Sequence, residues 1–260
     1  MHEDKDKEQQ ELPVDGASGE ETDAEELHRV LVSPATETEE TAAQGEDAEE
    51  IPSQEELPDR LPVLPQDDDV IFPGMVMPAH VEDEEYLDMV EKIVVGNKMF
   101  LALATREEGE ESNGENFYEV GTTCLIVQMI RMPDGTVRFL AQGLGRSQVN
   151  NISSEDGVLY ADVGQLKEER EEDAETQALL KNLRNQFLDM VDMLPEANEE
   201  VEPLIDSIED PGRLADMVCA NLNASQEEKQ KVLQTLNVKE RLEMVANILA
   251  REVEYLDVAQ

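Results

Sequence analysis

Four methionines, Met75, Met77, Met129 and Met132, are the side chains whose type and spacing best suit a chemical task, and the task is binding rather than bond-making. They belong to a chain with 11 methionines, five phenylalanines, four tyrosines and no tryptophan. A thioether is flexible and polarisable, so a surface built from such side chains can repack around unrelated apolar segments. The same adaptability makes methionine a good filler of irregular cores, and the sequence leaves both uses open. Phe72, beside the first pair, is expected to pack inward.

Residues that make and break bonds are not arranged to do so. No GxxxxGK[ST] segment is present to cradle a phosphate. No serine stands in a recognisable nucleophile setting. His2 and His28 fall in an acidic tail, and His80 stands beside Val81 without a partnered base. Carboxylates number 63 in 260 residues, too many for any pair to be singled out as acid and base. Cys124 and Cys219 have neither metal nor redox spacing and read as buried free thiols. The expectation is a noncatalytic chain with no cofactor and no metal site.

The elements that must position the methionines are short strands. Between Leu61 and Val81 the prolines Pro62, Pro65, Pro73 and Pro78 frame apolar runs. Each removes a ladder donor and fixes its own backbone angle, so the runs are expected at edge or first-strand positions and not in a helix. A helix is predicted from Glu84 to Val95, with Leu87, Val90 and Val94 on one face and Gly96-Asn97 ending it. Met99–Ala104 and Cys124–Ile130 are compact apolar runs, the latter read as a strand buried centrally. Pro133-Asp134-Gly135 supplies turn chemistry, and the returning strand alternates, Val137, Phe139 and Ala141 against Thr136, Arg138 and Gln142. Gly143 and Gly145 mark a bulge or corner where the sheet curls. Glu107–Asn116 reads as a polar, acidic loop.

From about Glu168 the period lengthens to three and four. Leu180, Leu183, Phe187, Met190, Val191 and Leu194 form a helical stripe that stops at Pro195. Asp210-Pro211 is a cap followed by proline at the first helical position, and Ser225 with Glu228 makes a capping box. Val238, Leu242, Val245, Leu249, Val253 and Leu256 mark a last helix. The fold class is α+β: a curled β domain over residues 61–166, then an α-helical bundle over 167–260.

The formal charge of −43 is unevenly spread, residues 1–60 carrying 21 acidic against 4 basic side chains. That segment lacks the apolar surface to offset the entropy of ordering it and is expected to be a disordered acidic extension, either solubilising or regulatory. Acidity argues against nucleic acid, which is bound through clustered Lys and Arg. No leader pattern or membrane-length apolar run occurs, so a soluble cytoplasmic protein is expected, with no membrane contact.

Three blocks, in order, resemble the N-terminal, substrate-recognition domain of the Lon protease family. LPVLPQDDDVIFPGMVMPAHV from Leu61 is similar to that domain's LPxLPLR and YPxMxxPLxV strands, keeping Phe72, Pro73, Met75 and Pro78 but departing at Gln66 and Asp67 where the family has Leu-Arg. VGTTCLIVQMIRMPDGTVRFLAQGLGR from Val120 is similar to its VGT…PDGT…GL.R hairpin. SIEDPGRLADMVCANL from Ser207 and NVKERLEMVANIL from Asn237 are similar to its helical motifs. The resemblance covers roughly residues 61–258. It implies a small PUA-like pseudo-barrel followed by helices, and a module that binds unfolded or damaged polypeptides for ATP-dependent proteolysis. Lon enzymes carry ATPase and Ser-Lys peptidase domains downstream, reached by a long helix, and assemble as hexamers; a hexamer is expected only of such a full-length enzyme. A piece of one, or a stand-alone adaptor or ligand-binding protein with a specific partner, both remain open. An RNA-binding module is disfavoured by the acidity and by the lack of aromatic-basic pairs.

Overall fold

Strand β1, Arg60–Gln66, opens the structure and shows at once how a proline-bearing strand can lie inside a sheet. Its first half, Arg60–Pro62, pairs antiparallel with β6, and its second half, Val63–Gln66, pairs parallel with β3. Each half therefore has a ladder on one side only, and each proline is accommodated without β1 being an edge strand. Of the two positions expected, β1 takes that of first strand rather than an edge. β2, Val76–Val81, takes the edge and pairs with β5 alone.

The computed structural model describes residues 57–81, 84–106, 116–194 and 201–259, all within one compact unit. The acidic extension lies outside the described residues as far as residue 56, and so does the acidic loop over 107–115. Leu57 is buried at 7% exposure and the Asp59 carbonyl accepts from Val163 N–H at 2.8 Å, so ordered packing begins before Leu61.

The remaining strands are β3, Met99–Ala104, β4, Val120–Arg131, β5, Val137–Glu155, and β6, Val158–Gln165. Their order is β2-β5-β4-β3-β1-β6, and the 19-residue β5 also pairs with β6, which closes the sheet into a small barrel. Register shifts between Thr123 and Cys124, opposite Gly143 and Gly145, make the corner. Gly143 is required there, because a Cβ would lie 2.3 Å from the Phe72 carbonyl oxygen. The β4–β5 turn is built as its residues dictate: Gly135 takes φ +92°, and the Asp134 carboxylate accepts from Thr136 N–H at 3.0 Å and its hydroxyl at 2.7 Å.

Helix α1, Glu84–Val95, packs on one face of the sheet through Met89, Val90 and Ile93, meeting Phe100, Phe139 and Ala141. A second apolar cluster, with Leu61, Val63, Leu101, Leu125 and Val163, fills the other face where the sheet closes. The central burial expected of Cys124–Ile130 holds only to Ile126. Pairing of β3 with β4 ends at Met99↔Leu125, so the last turns of β4 outrun that neighbour and leave Val127 46% and Ile130 54% exposed.

The helical lobe comprises α2, Ala174–Asp192, α3, Val201–Asp206, α4, Pro211–Asn221, α5, Gln226–Gln234, and α6, Val238–Ala259. Its start signals act as the sequence indicates, Asp210 capping Arg213 N–H and Ser225 exchanging bonds with Glu228. Asp173 caps α2. The short α3, carrying Pro203, is too brief for periodicity to announce. α6 packs across α2 and α4, burying Leu242, Val245 and Leu249. The architecture is α+β, a mixed six-stranded sheet with helices.

Candidate functional site

The four methionines part company in the structure. Met75, just before β2, is 0% exposed and belongs to the core, so it offers nothing to a partner. Met77 and Met129 are partly buried and pack against the cluster under α1. Their cross-strand partners are Ala141 and Phe139, neighbours two apart on β5, which brings the pair onto one face. Met132 lies apart, half-buried at the turn. Phe72 is fully buried, as its type suggests.

Among the described residues nothing covers the opposite face of the same three strands, which the sequence reading overlooked. Register places His80, Arg138 and Ile130 in one cross-strand row, and Pro78, Leu140 and Gln128 in the next. His80, Pro78, Arg138, Gln128 and Ile130 are exposed and Leu140 is half-buried. Alternation on β5 carried the signal: the set Thr136, Arg138, Leu140 and Gln142 opposes the core set and contains an unexplained leucine. What results is an apolar strip, Pro78–Leu140–Ile130, rimmed by polar side chains and ending at an exposed hairpin.

Further along β5 the sheet is joined to the helical lobe by a buried polar network. Arg146 on β5 donates to both carboxylate oxygens of Asp216 on α4, at 2.6 and 2.8 Å, and to the Leu233 carbonyl at 2.8 Å. Glu168, in the connection between lobes, accepts from Arg241 at 2.6 Å, from Arg170 at 2.6 Å and from Arg146 at 3.2 Å. Burial alone would raise the Glu168 carboxyl, but Arg241 and Arg146 outweigh it and hold it below the usual carboxylate range. Burial opposes the Arg146 charge too, and Asp216 and Glu168 more than restore it.

Helix α5 adds three further ties. Gln230 donates to the Val120 carbonyl, Gln226 to the Gln66 carbonyl, and Lys229 pairs with Asp69 at 2.9 Å. The unusual Asp67 is absorbed locally, accepting from the Thr105 hydroxyl at 2.9 Å.

Neither cysteine is placed for chemistry. Cys124 and Cys219 are free and buried, and burial pushes both thiols up, far from thiolate formation at neutral pH. Among the described residues no cluster of His, Cys, Asp and Glu is arranged to hold a metal, and no helix is long and apolar enough to cross a membrane.

Residues 60–251 match the family model of the ATP-dependent protease La (LON) substrate-binding domain. Curated relatives include the Lon proteases of Dictyoglomus thermophilum, 34% identical over 81% of this chain, and Desulfosudis oleivorans, 33% identical over 78%. The chain spans about a quarter of the length of these relatives, 26% and 25%. Among solved structures, the N-terminal domain of a Mycobacterium avium complex Lon protease superposes with a TM-score of 0.61 at 23% identity, over 74% of this chain and 98% of that one. A Lon N-terminal domain protein from Xanthomonas campestris gives 0.53 at 19% identity, over 72% and 97%. The two likenesses establish the fold.

Proposed function

Because this chain belongs to the substrate-binding-domain family of the ATP-dependent protease La (Lon), we propose that it is a noncatalytic recognition module for polypeptides whose apolar side chains are exposed, as in unfolded or damaged proteins. In an enzyme that carries the remaining three quarters of such a relative, the module delivers these segments to an ATP-driven protease. The observation that carries the reading is Ile130, a large aliphatic side chain 54% exposed on a hairpin that outruns its neighbouring strand. One exposed isoleucine would be ordinary. Here Leu140 and Pro78 continue it across the sheet, and Val127 and Met132 lie beside it on the hairpin. The half-buried Met77 and Met129 form the flexible underside of the same strands, able to adjust the sheet as different segments dock.

The test is capture of a fluorescently labelled, casein-like unfolded chain by the whole protein. Replacing Ile130 and Leu140 together by Asn weakens capture by at least about fivefold, the scale of a central interface contact, with the thermal unfolding transition unchanged. Gln at Met77, Met129 and Met132 weakens it less, and Met75→Gln is read out as lost stability. Undiminished capture by a folded Ile130/Leu140 variant overturns this face as the receptor.

A further inference from the structure

The distribution of charge around this face is at odds with the chain as a whole. With 63 acidic residues among 260, the protein places none in residues 70–81, between the acidic runs Asp67–Asp69 and Glu82–Glu85, and of residues 120–151 only Asp134 is acidic. These are the segments that form β2, β4 and most of β5. Asp134 lies in the turn, engaged by Thr136 and within electrostatic reach of His80. The hairpin's other cation, Arg131, turns toward α1 and pairs with Glu91. What faces outward beside the apolar strip is Arg138, with His80 directly across the strand pair.

Distance decides which charges a docked segment feels. At physiological salt the field of an exposed charge fades over about 8 Å. Carboxylates remote from the strip are largely screened from it, Asp134 at the turn lies within reach of its His80 end, and Arg138 acts at contact. A basic segment laid along the strip meets a guanidinium and no carboxylate of the described strands. An acidic one meets a donor fork suited to carboxylate geometry.

We propose that the outer face of β2, β5 and β4 docks extended polypeptide segments whose apolar side chains are flanked by carboxylates, Ile130, Leu140 and Pro78 taking the apolar groups and Arg138 a carboxylate. The inference rests on the capture reading above and adds the chemistry of the segment. It runs against the net charge of −43, which by itself favours basic ligands.

Three peptides with one apolar core, flanked by Glu, by Gln or by Lys, are titrated with the whole protein by fluorescence anisotropy at about 0.15 M salt. The Glu-flanked peptide binds more tightly than the Lys-flanked one by roughly three- to fivefold, the upper range of one exposed ion pair. Arg138→Gln removes the order and Arg138→Glu reverses it, while the Gln-flanked peptide binds all three proteins alike and circular dichroism stays constant. Tighter binding of the Lys-flanked peptide, no order at all, or an order indifferent to Arg138 overturns the proposal and leaves capture intact so long as the Gln-flanked peptide binds. Failure of every peptide to bind removes both.

Discussion

Arg146 and Asp216 meet as a fork, two parallel bonds of 2.6 and 2.8 Å between residues 70 apart in the chain, with both side chains almost wholly buried. The pair is the centre of the junction between the β lobe and the helical lobe. A planar guanidinium satisfies both oxygens of a carboxylate at once, which a lysine cannot do. Losing Arg146 leaves the buried Asp216 carboxylate with only its longer contact to Arg241, at 3.4 Å.

Arg146→Met is therefore expected to lower stability by about 3–5 kcal/mol, measured by urea unfolding. Arg146→Lys recovers only part of it, because one ammonium cannot replace the fork and the bond to Leu233 together. A loss below about 1 kcal/mol, the worth of a surface pair, would show that the junction does not depend on this contact.

Acid should loosen the same junction. Glu168 and Asp210 have folded-state carboxyls held below their usual range: burial raises each, but Arg241 outweighs it for Glu168, and the Arg170 hydrogen bond for Asp210. A depressed carboxyl stabilises the fold fully above its unfolded value, and that stabilisation is lost as pH falls through the folded value. Stability is thus expected to be level at neutral pH and to drop on acidification below the ordinary carboxylate range of about 4–4.5. Glu168→Gln lowers the neutral plateau and flattens the acid limb in pH-dependent unfolding. An equally steep limb in that variant assigns the acid sensitivity to other carboxylates.

The N-terminal limit of the folded unit can be placed by truncation. A protein beginning at Leu57 keeps a buried leucine, the Asp59 carbonyl contact and the Arg60 pairs with Glu155 and Asp162. One beginning at Leu61 loses all of these. Burial of one leucine side chain is worth about 1.5–3 kcal/mol, so the shorter protein is expected to unfold at distinctly lower urea. Coincident unfolding curves would put the boundary at Leu61.

Gly143 and Gly164 make a matched pair of strand glycines. A Cβ at Gly143 meets the Phe72 carbonyl oxygen at 2.3 Å, whereas at Gly164 its nearest contact is the Asn150 side chain at 3.7 Å. Gly143→Ala is expected to cost roughly 1–3 kcal/mol by overpacking against rigid backbone, and Gly164→Ala to stay within about 0.5 kcal/mol. Equal unfolding midpoints would mean that the corner of the sheet yields without strain.

Much of this protein was legible in its residues because the forces concerned are local. The Pro133-Asp134-Gly135 turn, the alternation through Val137, Phe139 and Ala141, the caps at Asp210 and Ser225 and the stripe of α6 each depend on neighbours within a few positions. Burial does not. Met75 and Met77 stand two apart in the sequence, yet one lies in the core and the other at its margin, where Gly143 arrives from a distant strand to bond the Met75 carbonyl at 2.9 Å. Nor could periodicity show that β3 stops short of β4 and bares Ile130. The hairpin segment from Val120 and the helical motifs from Ser207 and Asn237 each contribute one charged residue, Arg146, Asp216 and Arg241, to a single buried cluster. The sequence by itself determined that those blocks exist and what secondary structure each adopts, since hydrogen bonding and turn chemistry act at short range. That the three charges meet, and which sheet face remains open, only the tertiary structure decided, because desolvation and pairing depend on groups brought together from distant parts of the chain.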